Sequence, residues 1–69
     1  MNQRIEGICE LLTTLAPNQS VNAVVADGFN EPVTSFVNFD EDTHLAYFTN
    51  AAGALVVADC RHISLIVFP

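Results

Sequence analysis

The sequence predicts a mostly β domain: one N-terminal helix, then five short antiparallel strands bent strongly enough to curl into a small, partly open barrel. Three observations predict it. Near the start of the chain, apolar residues recur at three- and four-residue spacing; from Val21 onward the spacing becomes two. Turn-forming clusters then divide this second part into segments of a few residues, the pattern of consecutive strands that roll up in a small domain.

The helix is expected over residues 2–16. Ile5, Ile8, Leu12 and Leu15 share one stripe, with Cys9 and Leu11 at its margins. Asn2 suits the N-cap, and Pro17 forces an end by Ala16. Gly7 weakens the first turns, so the helix needs docking. The first strand covers residues 21–25, with Val21, Ala23 and Val25 on one face and Asp27-Gly28 as its closing turn. A second strand starts near Pro32, which a strand beginning tolerates, and runs to Phe39. In it Val33, Ser35, Val37 and Phe39 face one way, and Thr34, Phe36 and Asn38 the other. Asp40-Glu41-Asp42 is a charged turn. In the third strand Leu45, Tyr47 and Thr49 alternate with His44, Ala46 and Phe48. The fourth covers 54–58 and the fifth 63–68, joined by a tight corner at Asp59-Cys60-Arg61. No linker or repeat interrupts this order, so residues 1–69 are expected to form a single domain.

A chain of 69 residues buries only about 60% of its unfolded surface. Hydrophobic residues make up 51% and charged residues 14%, too little charge to coat so small a body. The last two strands, rich in leucine, valine and isoleucine, lack the clean polar alternation of a half-exposed sheet. Leu55, Val57, Leu65 and Val67 are therefore expected to meet another copy of the same chain, strand to strand. The five phenylalanines are expected mainly in the core and this interface, with Phe29 in a turn.

The formal charge is −6, and Arg4 and Arg61 are the only cations besides two histidines. A generic nucleic-acid binder has the opposite balance, so any such role must be local. The acidic chain would instead attract basic partners. Cys9 and Cys60 admit a disulfide, but neither their spacing nor their context demands one; two free thiols in a reducing compartment are expected. Residues 1–16 carry Glu6 and Glu10 and lack the apolar stretch of a signal peptide, and no run is long enough for a membrane span. A cytoplasmic protein is the expectation.

The order of elements, with Val24-Val25-Ala26-Asp27-Gly28, Val37-Asn38-Phe39-Asp40 and the closing run Arg61-His62-Ile63-Ser64-Leu65-Ile66-Val67-Phe68-Pro69, resembles the Sm-like family, including its bacterial Hfq branch. The resemblance implies an SH3-like, Sm-like barrel that assembles into a homo-oligomeric ring through its fourth and fifth strands. It also implies single-stranded RNA or DNA bound near a pore, with Arg61, His62, His44 and Asp40 at the motif positions. Asp42 and His44 stand where the family commonly carries a stacking residue and an asparagine. Base binding in such a ring needs a planar group to stack, a polar group to read an edge and a cation for phosphate, so Arg61, His62 and His44 are the candidates. The alternative for Arg61 is an ion pair with Asp59 or with a carboxylate of another subunit.

No enzyme is expected. Cys60 and His62 are two apart, but nothing supplies an orienting third group. Asp40, Asp42 and His44 alternate like hard-metal ligands, as acidic turns do adventitiously, and no metal or cofactor is expected. The rival to the RNA-binding ring is an acidic, oligomeric interaction or structural module of the kind small viral genomes encode, engaging a basic protein and no nucleic acid.

Overall fold

The computed structural model describes residues 7–69. Asn2, Arg4, Ile5 and Glu6, and with them the expected N-cap, lie outside the described residues. The described chain runs α1 (Gly7–Leu12), β1 (Ala23–Ala26), β2 (Phe29–Pro32), β3 (Ser35–Asp40), β4 (Leu45–Thr49), β5 (Leu55–Asp59), a 3-10 helix (Cys60–His62) and β6 (Ile63–Val67). The strands form two three-stranded antiparallel sheets, ordered β2-β1-β6 and β3-β4-β5. The mostly β class with an N-terminal helix stands. The strand count is six instead of five, and the sheets do not close into a barrel.

The additional strand comes from the hairpin at Asp27-Gly28. Both residues have positive φ (52° and 83°), the geometry of a two-residue turn whose twist suits antiparallel strands. It pairs Ala26 with Phe29 and Ala23 with Pro32. The strand expected to begin near Pro32 thus ends there, and its continuation belongs to the other sheet. Val33 and Thr34 make the switch: Val33 N–H donates to the Asn22 carbonyl at 3.1 Å, and Thr34 N–H to the Thr49 carbonyl at 2.7 Å. One segment serving two sheets through a corner is how two sheets share a core at a steep angle.

This corner also corrects the expected faces. Val21 precedes β1, donating its N–H to Thr34 O, and is buried; within β1 the buried residue is Val24, with Ala23 and Val25 only half-buried. In β3 an extra residue, Val37, falls between the pairs Phe36–Phe48 and Asn38–Tyr47. This bulge breaks the period of two, so Phe36 and Phe39 both pack inward while Val37 is exposed. In β4 the expected alternation holds, with Ala46 and Phe48 buried.

α1 ends earlier than expected. Thr13 and Thr14 turn their hydroxyls back onto the carbonyls of Glu10 and Leu11, at 2.6 and 2.7 Å. These bonds satisfy the carbonyls a helix end leaves open and terminate it at Leu12, short of Pro17. Leu12 is buried, and Ile8, Cys9 and Leu15 pack against the core of Val21, Val24, Val33, Phe36, Ala46, Phe48, Cys60 and Ile63. Phe36 and Phe48 meet edge to face, 5.8 Å between ring centres. Phe29 is 77% exposed at the hairpin tip.

Cys9 and Cys60 form a disulfide, which overturns the expectation of two free thiols. The spacing of 51 residues hides the proximity. It arises because α1 packs on the 3-10 helix and on β6. Such bonds persist in oxidising surroundings. No helix among the described residues is long and apolar enough to cross a membrane.

Candidate functional site

The expected nucleic-acid residues Arg61 and His62 sit together on the 3-10 helix that links β5 to β6. Asp59 caps this helix: its Oδ1 accepts the backbone N–H of Arg61 at 2.8 Å. The same carboxylate holds the guanidinium, accepting from Nε at 3.0 Å and from Nη2 at 2.7 Å. A two-point fork of this kind is the strongest geometry a surface arginine finds. The Arg61 side-chain hydrogen bonds are the main reason the Asp59 carboxyl lies well below its ordinary value of 3.8, and Asp59 in turn raises Arg61.

A depressed carboxyl contributes stability that is present above its unfolded value and lost as pH falls through the folded one. The Asp59–Arg61 contribution is therefore retained at neutral and mildly acid pH and fades only under strongly acid conditions. Arg61→Ala is expected to move the Asp59 titration up towards ordinary carboxylates. An NMR titration of the side-chain carboxyl carbons checks this, and an unmoved Asp59 would mean the fork does not set its acidity.

His62 Nδ1 lies 3.0 Å from Asp27 Oδ1, and Asp27 N–H donates to the His62 carbonyl at 3.1 Å. The imidazole is thus tied to the β1–β2 hairpin, and the contact becomes an ion pair when His62 is protonated. Asp59 was foreseeable as a partner from its position two residues before Arg61. Asp27 was not, since it lies 35 residues from His62 and meets it only because β6 pairs with β1.

His44 is not part of a strand. It has φ 64° in the turn before β4 and is half-buried, and its carbonyl accepts the Cys60 N–H at 2.8 Å. The backbone therefore brings His44 to the start of the 3-10 helix. Asp40 ends β3, opposite Leu45, which itself lies opposite Asp59, so the two aspartates occupy one row across the sheet. Asp40 Oδ1 accepts the Asp42 N–H at 3.0 Å, which fixes the charged turn. Among the described residues no hydrogen bond or ion pair joins Asp40 or the His44 side chain to Arg61 or His62. No group of three His, Cys, Asp or Glu gathers as a metal site among them either. With its sulfur in the disulfide, Cys60 holds no thiol for His62 to activate.

The expected interface residues occupy the outer faces of the two sheets. Strand alternation turns Val56 and Ile66 towards the core and leaves Leu55 (59% exposed), Val57 (47%), Leu65 (52%) and Val67 (39%) pointing away from it. Leu65 lies opposite Val25 and Val67 opposite Ala23, while Val57 lies opposite Tyr47, so each patch continues onto the neighbouring strand. β5 and β6 are the outermost strands of their respective sheets, each with one edge that no other strand pairs among the described residues. Comparisons with protein-family models, with curated proteins and with solved structures give no match to this chain.

Proposed function

We propose that the protein is a non-enzymatic, self-assembling interaction module of open Sm-like architecture, with an acidic exterior that engages a basic partner. The observation that carries this is the pairing of two open strand edges, β5 and β6, with four exposed aliphatic side chains, Leu55, Val57, Leu65 and Val67. Exposed apolar patches on adjoining strands mark interaction sites, and an open edge supplies the unpaired N–H and C=O groups that hold a further strand. The occupant of this surface is a second copy. The two patches lie on different sheets, so the β5 side of one protomer meets the β6 side of the next, a head-to-tail contact that closes into a ring when the rotation permits. Support for the Sm-like architecture comes from the strand bent at Val33 and Thr34 and from β6 returning to pair with β1.

The state of the cation favours protein over nucleic acid as ligand. Arg61 is held by Asp59 and His62 is bonded to Asp27, against a formal charge of −6. Ring symmetry would then present many carboxylates at once and give avidity for a basic partner. One observation keeps single-stranded RNA or DNA as a second reading. The anchored guanidinium remains 59% exposed with the 57%-exposed imidazole beside it, two planar groups on which bases can stack for about 1–3 kcal/mol each.

Fluorescence anisotropy with short oligo-U and oligo-A, at low and high salt, separates the two. The interaction module predicts no binding at low salt. Salt-sensitive binding that Arg61→Ala abolishes would establish the nucleic-acid reading instead.

A further inference from the structure

Between the end of α1 and the outer edge of β3 lies a cleft of about 460 Å³ that shares only Asp40 with the expected nucleic-acid residues and no residue with the expected subunit contact. We propose that this cleft binds a short extended peptide carrying basic residues alternating with apolar ones, which pairs with the open end of β3. The proposal rests on the reading of an acidic module with a basic partner, and gives that partner a site and a form.

The geometry limits what fits. β3 is the outermost strand of its sheet, and its first residues are already covered: Phe36 donates to Gln19 O and accepts from Asn18 N–H, both at 2.8 Å. Beyond the bulge at Val37, residues 38–40 pair with β4 on one side. Among the described residues they make no backbone hydrogen bond on the other. That open stretch holds a short strand and is too brief to template a growing sheet, which argues against another sheet from a second copy. Leu15 and Phe39, backed by the buried Leu12 and Phe36, give an otherwise polar cleft an apolar spot able to take one alkyl side chain. Since side chains alternate along an extended peptide, residues flanking an inserted valine project towards the rim.

The rim is formed by Asp40, Glu41 and Asp42, and among the described residues no cationic one lines the cleft. Among the described residues none of these carboxylates is in an ion pair. A second copy would bring more negative charge to this rim, whereas lysine side chains would complement it.

The test is anisotropy of a fluorescein-labelled Lys-Val-Lys-Val-Lys peptide against the intact protein, with light scattering on the same sample. Binding is expected at low salt. It should be lost in a Glu-Val-Glu-Val-Glu peptide and in a peptide with two successive N-methylated residues, which cannot pair whichever register it takes. Glu41→Lys combined with Asp42→Lys should weaken it about tenfold or more, with an unchanged far-ultraviolet spectrum. Leu65→Lys should leave it unchanged. Absence of binding with intact assembly would overturn the peptide site and leave the self-assembling module standing. Equal binding of the N-methylated peptide would reduce the effect to bulk charge and overturn strand pairing. Release of subunits by the peptide would assign the cleft to a second copy, and tighter binding by Arg4→Ala would assign it to the chain's own leading segment; either overturns the proposal.

Discussion

Cys9→Ser is expected to lower the unfolding free energy by about 4 kcal/mol, and reduction of the native protein by the same amount. The bond closes a loop spanning 51 residues of sequence, and the chain-entropy cost of leaving such a loop open is about 4 kcal/mol. Against a net stability of roughly 3–10 kcal/mol for a chain of this length, that is a large share. The helix depends on the bond in particular. α1 ends at Leu12 and carries Gly7, which weakens a helix interior, so it relies on docking. Its docking rests on Leu12, Ile8 and the tether at Cys9. Cys60→Ser should be worse than Cys9→Ser, because Cys60 is 2% exposed and a hydroxyl there enters an apolar core. Urea titrations of oxidised, reduced and Cys9→Ser protein check this. Coincident midpoints would mean that the sheets alone define the stable unit.

Leu65→Lys and Val67→Lys are expected to dissolve the assembly while leaving the protomer folded. Both side chains lie on the outer face of β6, away from the core that Ile63 and Ile66 enter, so lysine is solvated in the free protomer. In the contact, each change removes the burial of an aliphatic side chain, about 1.5–3 kcal/mol, and inserts a charge. A loss of about 1.4 kcal/mol is already tenfold in the dissociation constant, and the loss recurs at every contact of a ring. Leu55→Lys and Val57→Lys test the other half from β5. A head-to-tail contact predicts that a β5 variant and a β6 variant, mixed, form a capped pair through their two intact faces. Sedimentation velocity on the mixture reads this directly, and a mixture that stays monomeric would contradict the β5-to-β6 contact.

The outward aliphatics were legible in the sequence because β5, and β6 from Leu65 onward, keep a period of two; the register shift between Ile63 and Leu65, which lets Ile63 and Ile66 both face the core, was not. Turn chemistry was legible too: Asp27-Gly28 closes a hairpin, and Asn50 accepts the N–H groups of Ala52 and Ala54 before Gly53 and the return strand. What misled was the assumption of one unbroken strand from Pro32 to Phe39. Residues 29–31 fall outside any expected strand because Asn30 and Glu31 are poor strand formers, and all of β2 is exposed. Their pairing comes from the hairpin geometry, not from burial. The single inserted residue at Val37 then inverted the expected face of Phe36 relative to Phe39, since one extra residue moves every later side chain across the sheet.

At the site, the Arg61–Asp59 fork was within reach of sequence because both partners lie in one tight corner. The His62–Asp27 contact and the Cys9–Cys60 bond were not. Each joins segments that meet only after β6 has folded back on β1 and α1 has docked on the 3-10 helix, and no local pattern encodes those meetings.

The most direct measurement is the solution mass by light scattering coupled to size exclusion, on the oxidised protein at neutral pH. A discrete species of several times 7.5 kDa, falling to the protomer mass on Leu65→Lys, is the predicted result. A native protein that elutes as a single 7.5 kDa species across the accessible concentration range would contradict it, because Leu55, Val57, Leu65 and Val67 would then face water with nothing to cover them.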